Sequence, residues 1–167
     1  MIVFPISDLP PAMPIEDIRT YCSVEAGIHY EIPADLIYAV ALNEGGKVDS
    51  KVKNTNGTYD LGMMQFNTSY LKTLEKEGIK SSDVMKNNCY PFHLAGWRIK
   101  SHLAEPGDDT FKKVAFYHSR TEKYNQKYRD RLLVNIKRFP RDVANMFFDL
   151  IVKRLDDYFK HKYQVNE

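Results

Sequence analysis

Apolar residues recur at spacings of three and four along nearly the whole chain, and no alternating run is long enough to read as a strand. That period points to a mainly α domain. Glycine, asparagine and proline divide the pattern into helices expected over 14–26 (stopped by Gly27), 33–44, 67–77 (opened by Asn67, stopped by Gly78), 81–87, 91–104, 109–119, 122–138 and 141–163. Phe92, Ala95, Ile99 and Leu103 form one inward stripe, and Tyr124, Tyr128, Leu132 and Ile136 another. Residues 47–66, KVDSKVKNTNGTYDLGMMQF, break the pattern. Loops of some twenty residues in a compact domain are usually functional or hold further structure, and Asn56-Gly57 is a hairpin signal that allows a small β-ribbon there.

With 167 residues, 43% of them apolar and 28% charged, the chain has the size and composition of one globular domain with a sizeable core. The longest apolar runs fall short of the roughly 18 residues a transmembrane helix needs, so no transmembrane segment is expected. The N-terminal MIVFPISDLPPAMP lacks a basic stretch and is broken by prolines, so it does not read as a signal peptide. Net charge is +2, but residues 120–162 carry 12 Lys+Arg against 6 Asp+Glu, or +6, which leaves −4 for the remainder. Such a basic quarter is either a solvated helix face or a surface for an anionic partner. No helix-turn-helix, zinc-finger or RNP-like pattern accompanies it, so nucleic acid is not expected. Cys22 and Cys89 form no CxxC or Cys/His cluster, so neither a metal nor another cofactor is expected. On these residues alone, one disulfide and two buried thiols remain open alternatives.

The segment AVALNEGGKV, residues 39–48, carries the sharpest chemical signal. Ile37, Val40, Ala41 and Glu44 share one helix face, so the carboxylate continues a stripe that points inward. Gly45 and Gly46 suit a left-handed stop, which leaves Glu44 in the last turn near the negative end of the helix dipole. Desolvation and dipole both oppose ionisation. Glu44 is therefore a candidate general acid, although a glutamate near a helix end is more often a solvated residue.

Two further segments supply groups that suit a sugar. In DLGMMQFN, Asp60, Met64, Gln65 and Asn67 offer a carboxylate, a soft apolar surface and two amides; the plainer reading is a tight turn packing Met64 and Phe66, with Asn67 as an N-cap. In VAFYHSRTEKYNQKY, Tyr117, His118 and Tyr128 offer stacking faces and hydrogen-bonding groups, although such a histidine is more often a cap or core residue.

The order helix-Glu44, then NGTYDLGMMQFN, then NNCYPFHLAGWRI, then FYHS and a downstream tyrosine resembles the specialised lytic transglycosylases of the soluble-lysozyme-like superfamily, of the VirB1 and IpgF type. The resemblance covers about residues 20–138. It implies a lysozyme-like, goose-type helical domain over 14–139, leaving residues 1–13 as a tail and 140–167 as a C-terminal helical extension. It also implies Glu44 as the catalytic acid, Asp60, Met64, Gln65, Asn67, Tyr117, His118 and Tyr128 as substrate-binding residues, and a Cys22–Cys89 disulfide. Peptidoglycan strands would be the substrate, a secretion or conjugation apparatus the partner, and the periplasm the location. The chain departs from most relatives at Gly45, where serine is usual, and at His118-Ser119-Arg120, where Asn-x-Gly is common.

For chemistry the resemblance implies a single-acid reaction, in which the substrate's own N-acetyl group is the nucleophile and a 1,6-anhydro ring closes in place of water attack. Two alternatives remain: a hydrolytic muramidase of the goose-lysozyme kind, for which Asp60 is the nearest second carboxylate, and a noncatalytic wall-binding assembly factor. The last helix carries Val143, Phe147, Leu150, Ile151, Leu155 and Tyr158 as an expected apolar face, for packing on the domain or for a partner.

Overall fold

The computed structural model describes residues 4–163. Among them are seven α-helices and one small sheet: α1 (Ile15–Tyr30), α2 (Ala34–Glu44), β1 (Lys51–Lys53), β2 (Tyr59–Leu61), β3 (Phe66–Asn67), α3 (Thr68–Leu74), α4 (Tyr90–Leu103), α5 (Thr110–Ala115), α6 (Glu122–Asn135) and α7 (Arg141–Lys162). Short 3₁₀ turns follow α3 and α6, and another, Asp83–Met85, replaces the helix expected over 81–87. The long loop holds the β-ribbon that Asn56-Gly57 allowed, extended to three antiparallel strands in the order β1-β2-β3. Val52 pairs with Asp60, and Asp60 in turn with Asn67.

Gly27 does not stop α1. The helix runs on to Tyr30 and ends on Glu31 in the left-handed conformation, with φ 55°. Gly27 is needed for a different reason: a Cβ there would stand 2.9 Å from the Ile32 carbonyl oxygen and 3.3 Å from Ala34, where the chain turns back into α2. Close packing of two helices, not chain termination, explains this glycine.

One core joins α1 through α6 with the sheet. Ile37, Val40 and Ala41 of α2 meet Phe92, Ala95 and Ile99 of α4 and Met63, Met64 and Phe66 of the loop, all of them buried. The α6 stripe starts one turn later than expected. Tyr128 and Leu132 are buried but Tyr124 is 52% exposed, because buried Asn125 takes the inward position and donates from its amide to the carbonyls of Lys112 and Ser119. The disulfide joins Cys22 and Cys89, with 5.0 Å between their Cα atoms, and fastens α1 to the start of α4. Residues 7–9 lie alongside: the Ser7 carbonyl accepts from the Cys89 amide at 3.0 Å, and Asp8 bridges to Asn88.

The last helix packs along α1, where Ala144, Ile151, Leu155 and Phe147 cover Val24, Tyr21 and Ile28. The buried row differs from the expected face. Val143 is 36% and Leu150 59% exposed, because packing against one helix buries a narrow stripe and leaves flanking apolar residues in solvent. Beside that stripe, Arg154 donates to Glu25 of α1 at 2.9 Å. Glu25 is fully buried. Its other partners are Nε2 of His93 on α4 at 2.8 Å, and the backbone amide and hydroxyl of Ser7. Burial alone would raise the Glu25 pKa, but the hydrogen bonds from His93 and Ser7 outweigh it and hold the carboxyl below its ordinary value.

Arg154→Leu is expected to cost about 2 to 3 kcal/mol at neutral pH, below the full penalty for breaking a buried pair because the guanidinium is partly solvated. A depressed carboxyl pKa stabilises the fold above the unfolded value and ceases to do so as pH falls through the folded one. The deficit measured by urea unfolding should therefore shrink under acid. Reduction of the disulfide opens a loop of 67 residues and is expected to cost about 4 kcal/mol in the chain-entropy model, read as a lower melting temperature with reductant present.

Candidate active site

Four elements converge on Glu44. As the sequence predicts, α2 ends there, with Gly45 left-handed at φ 64°. Gly46 then lies flat on the turn between β2 and β3, where a Cβ would come within 2.2 Å of the Gly62 carbonyl oxygen. The pair of glycines thus does two jobs, ending the helix and letting the sheet approach the carboxylate. From α6, the Tyr128 hydroxyl donates to Glu44 Oε1 at 2.6 Å. Tyr128 is itself fixed from α2: the Asn43 amide donates to its carbonyl at 3.1 Å, and Asn135 donates to Asn43 at 2.7 Å.

The carboxyl is embedded in protein while the residue keeps partial exposure, and burial raises its pKa to about 7. The Tyr128 hydrogen bond and the nearby guanidiniums of Arg131 and Arg98 pull the other way, and Asp60 adds a repulsion that raises it further. Desolvation wins. Although no basic residue flanks Glu44 in sequence, the fold brings two arginines into its field. Tyr128 is held far above its ordinary pKa, by burial first and then by Glu44, so its phenol remains a donor.

The other expected site residues divide into floor and surface. Met64 is fully buried, and its side chain offers no surface to a ligand because the hydrophobic core claims it; its carbonyl accepts from the Tyr117 hydroxyl at 2.9 Å. Tyr117 is buried too, with Arg98 stacked 4.7 Å from its ring centre and 4.0 Å from that of Tyr70. Gln65 adopts a left-handed backbone, φ 51°, unusual outside glycine. Its amide turns inward to Ser50 Oγ at 3.0 Å and the Gly62 carbonyl at 2.9 Å, so it braces the loop. Asn67 caps α3 by accepting from the Ser69 amide, and its Nδ2 donates to Asp60 Oδ1 at 2.9 Å. His118 is exposed and stacks on Tyr128, ring centres 4.9 Å apart and planes 8° from parallel. Burial of its ring, then the charge of Arg131, lower its pKa and favour a neutral imidazole.

Asn43, Asn135, Arg98 and Arg131 escape a sequence reading. On a helix each looks like an ordinary polar surface residue, and only Asn43, next to Glu44, sits where a search around the acid would find it.

Because the folded state raises the Glu44 pKa, it binds more protons than the unfolded chain between pH 4.5 and about 7, and stability falls as pH rises through that window. Glu44→Gln is therefore expected to stabilise the protein by about 1 to 3 kcal/mol above pH 7, an advantage absent below pH 4.5, as measured by urea unfolding across that range.

The family model of the transglycosylase SLT domain matches residues 21–136. Protein IpgF of Shigella flexneri is 30% identical over 72% of this chain and 79% of its own length. Invasion protein IagB of Salmonella typhimurium is 27% identical over 80% of this chain and 84% of its own. A peptidoglycan-binding-like protein of Escherichia coli O157:H7 is 31% identical over 65% and 69%. The matched span runs from α1 through α6 and contains Glu44, its partner Tyr128 and the loop between them, and the chain belongs to the transglycosylase SLT domain family, which acts on peptidoglycan.

Proposed function

We propose that the protein is a lytic transglycosylase that cleaves the β-1,4 bond between N-acetylmuramic acid and N-acetylglucosamine with Glu44 as its acid. The observation that carries this reading is a desolvated carboxyl with a pKa of about 7, held by Tyr128 in a family that acts on peptidoglycan. At that pKa a large fraction is protonated near neutrality, and the conjugate base is strong enough to take the proton back.

Glu44 donates its proton to the glycosidic oxygen as the bond to the anomeric carbon breaks and the N-acetyl carbonyl oxygen closes on that carbon. The carboxylate then removes the proton from the sugar's 6-hydroxyl. O6 attacks the anomeric carbon, the acetamido group leaves, and a 1,6-anhydro ring results. Atoms balance without water. Tyr128 orients the carboxyl and stabilises its ionised form; Tyr117 and Met64 support the floor; Gln65 and Asn67 hold the loop that presents Asp60; His118 offers its open face to the glycan.

Asp60 favours a second reading, hydrolysis by a carboxylate pair, because its charge reaches Glu44. The engaged Asn67 amide gives it a structural role instead. The likeness to invasion protein IagB supports service at the periplasmic wall beside a secretion assembly.

Mass spectrometry of digested peptidoglycan is expected to show anhydro-muropeptides; reducing ends alone would mean hydrolysis. Glu44→Gln should abolish both kinds of product. Asp60→Asn should retain activity within roughly tenfold if a single acid operates, and lose it nearly completely if a pair does. Activity should decline as pH rises through about 7. Tyr128→Phe removes the hydrogen bond that lowers the Glu44 pKa, so the alkaline limb of its pH profile should move to higher pH while turnover falls roughly tenfold.

A further inference from the structure

A cavity of about 750 Å³ opens between the end of α1, the turn after α3, the exposed side of α4 and the N-terminal segment. It contains none of Glu44, Asp60, Tyr117, His118 or Tyr128. Its volume lies within the range of small-molecule sites. Trp97, the chain's one tryptophan, stands on its wall 42% exposed, and the half-buried rings of Tyr30 and Tyr90 line it further in. The Tyr30 ring owes its seat to Gly96, where a Cβ would come within 2.8 Å of Tyr30 Cδ2.

Ile6, Leu74, Ile79 and Leu94 share the wall with these rings, and polar groups stand among them. Among the described residues neither tyrosine hydroxyl has a hydrogen-bond partner, nor does the His29 imidazole beside them. Burial keeps both phenols neutral and favours the neutral form of His29, while Lys76 and Glu77 on the rim cancel in charge. An aliphatic ligand would cover these polar groups and leave them unpaired, at a cost. A charged ligand would find one opposing and one like charge. A pyranose fits both properties: its C–H face stacks on aromatic rings while its edge hydroxyls meet the donors and acceptors around them.

We propose that this cavity is a second saccharide site, which holds a neutral N-acetylated sugar unit of a glycan strand away from the cleft. The choice of an amino sugar among pyranoses rests on the substrate proposed above; the aromatic and polar lining does not. A strand held at both places would be released less readily than one gripped at the cleft alone.

Trp97 lets the site report on itself. Full-length Glu44→Gln protein, which should bind without turnover, is titrated with N,N′,N″-triacetylchitotriose while tryptophan emission is followed. The expected result is a saturable change in emission, weakened roughly three- to tenfold by adding Tyr90→Phe, which keeps the ring and removes one hydroxyl. The same titration with His118→Ala in place of Tyr90→Phe should match the parent, because His118 belongs to the cleft. Absence of a saturable change overturns the proposal. So does a change that His118→Ala weakens and Tyr90→Phe leaves intact, which would place the sugar in the cleft. Saturation by an anilinonaphthalene dye that the saccharide cannot displace also overturns it, in favour of an apolar ligand. If the titration fails while wild-type protein still releases anhydro-muropeptides, the second site alone falls; if both fail, the glycan reading falls with it.

Discussion

The buried Glu25 carboxylate is the point at which four separated pieces of the chain are tied. Ser7 reaches it from the N-terminal segment, His93 from α4 and Arg154 from α7, while Glu25 itself rides on α1. A charge in that position would be strongly unfavourable without such partners, and the partners gain their value from the low dielectric that makes it so. One consequence is positional. α4 is fixed to α1 twice, by the His93 bond and by the nearby disulfide, and α4 carries both Arg98 towards the Glu44 site and Trp97 towards the second cavity. A second is that α7, beyond the span matched by the family model, is held by a polar contact as well as by its apolar stripe.

Glu44 is the opposite case. Glu25 has enough hydrogen-bond donors to overcome its burial and stays ionised, whereas Glu44 has Tyr128 and two guanidiniums at a distance, which do not overcome it. The two glutamates show that burial by itself does not fix a carboxyl's protonation; the number and closeness of its donors does. The partial compensation at Glu44 is also what allows both halves of the proposed reaction. Without the phenol and the arginines the acid would be held too firmly protonated to serve as a base in the second step, and with a direct ion pair it would have no proton to give.

Much of this arrangement is legible in the sequence. The helical period, the ribbon signal at Asn56-Gly57, the stop at Gly45 and the inward stripe ending on Glu44 are local, fixed by backbone geometry and by which residues avoid water, and the structure carries each of them. The motif order singled out Glu44 and Tyr128, and the fold brings the two into hydrogen-bond contact. Local pattern also misleads where a residue's role depends on a distant neighbour. Gly27 reads as a helix stop but exists to let Ile32 and Ala34 approach; Met64 reads as a ligand surface but is claimed by the core; the face of α7 shifts because its packing, mainly on α1, buries only a narrow stripe.

Sequence by itself determined the helical fold class and singled out Glu44, because periodicity and motif spacing are properties of a single chain direction. Only the tertiary structure decided the electrostatics. The distances that set a pKa join residues far apart in the chain, Glu44 to Tyr128 and Glu25 to Arg154, and charge interactions depend on separation in space and on exclusion of water, neither of which a linear order contains.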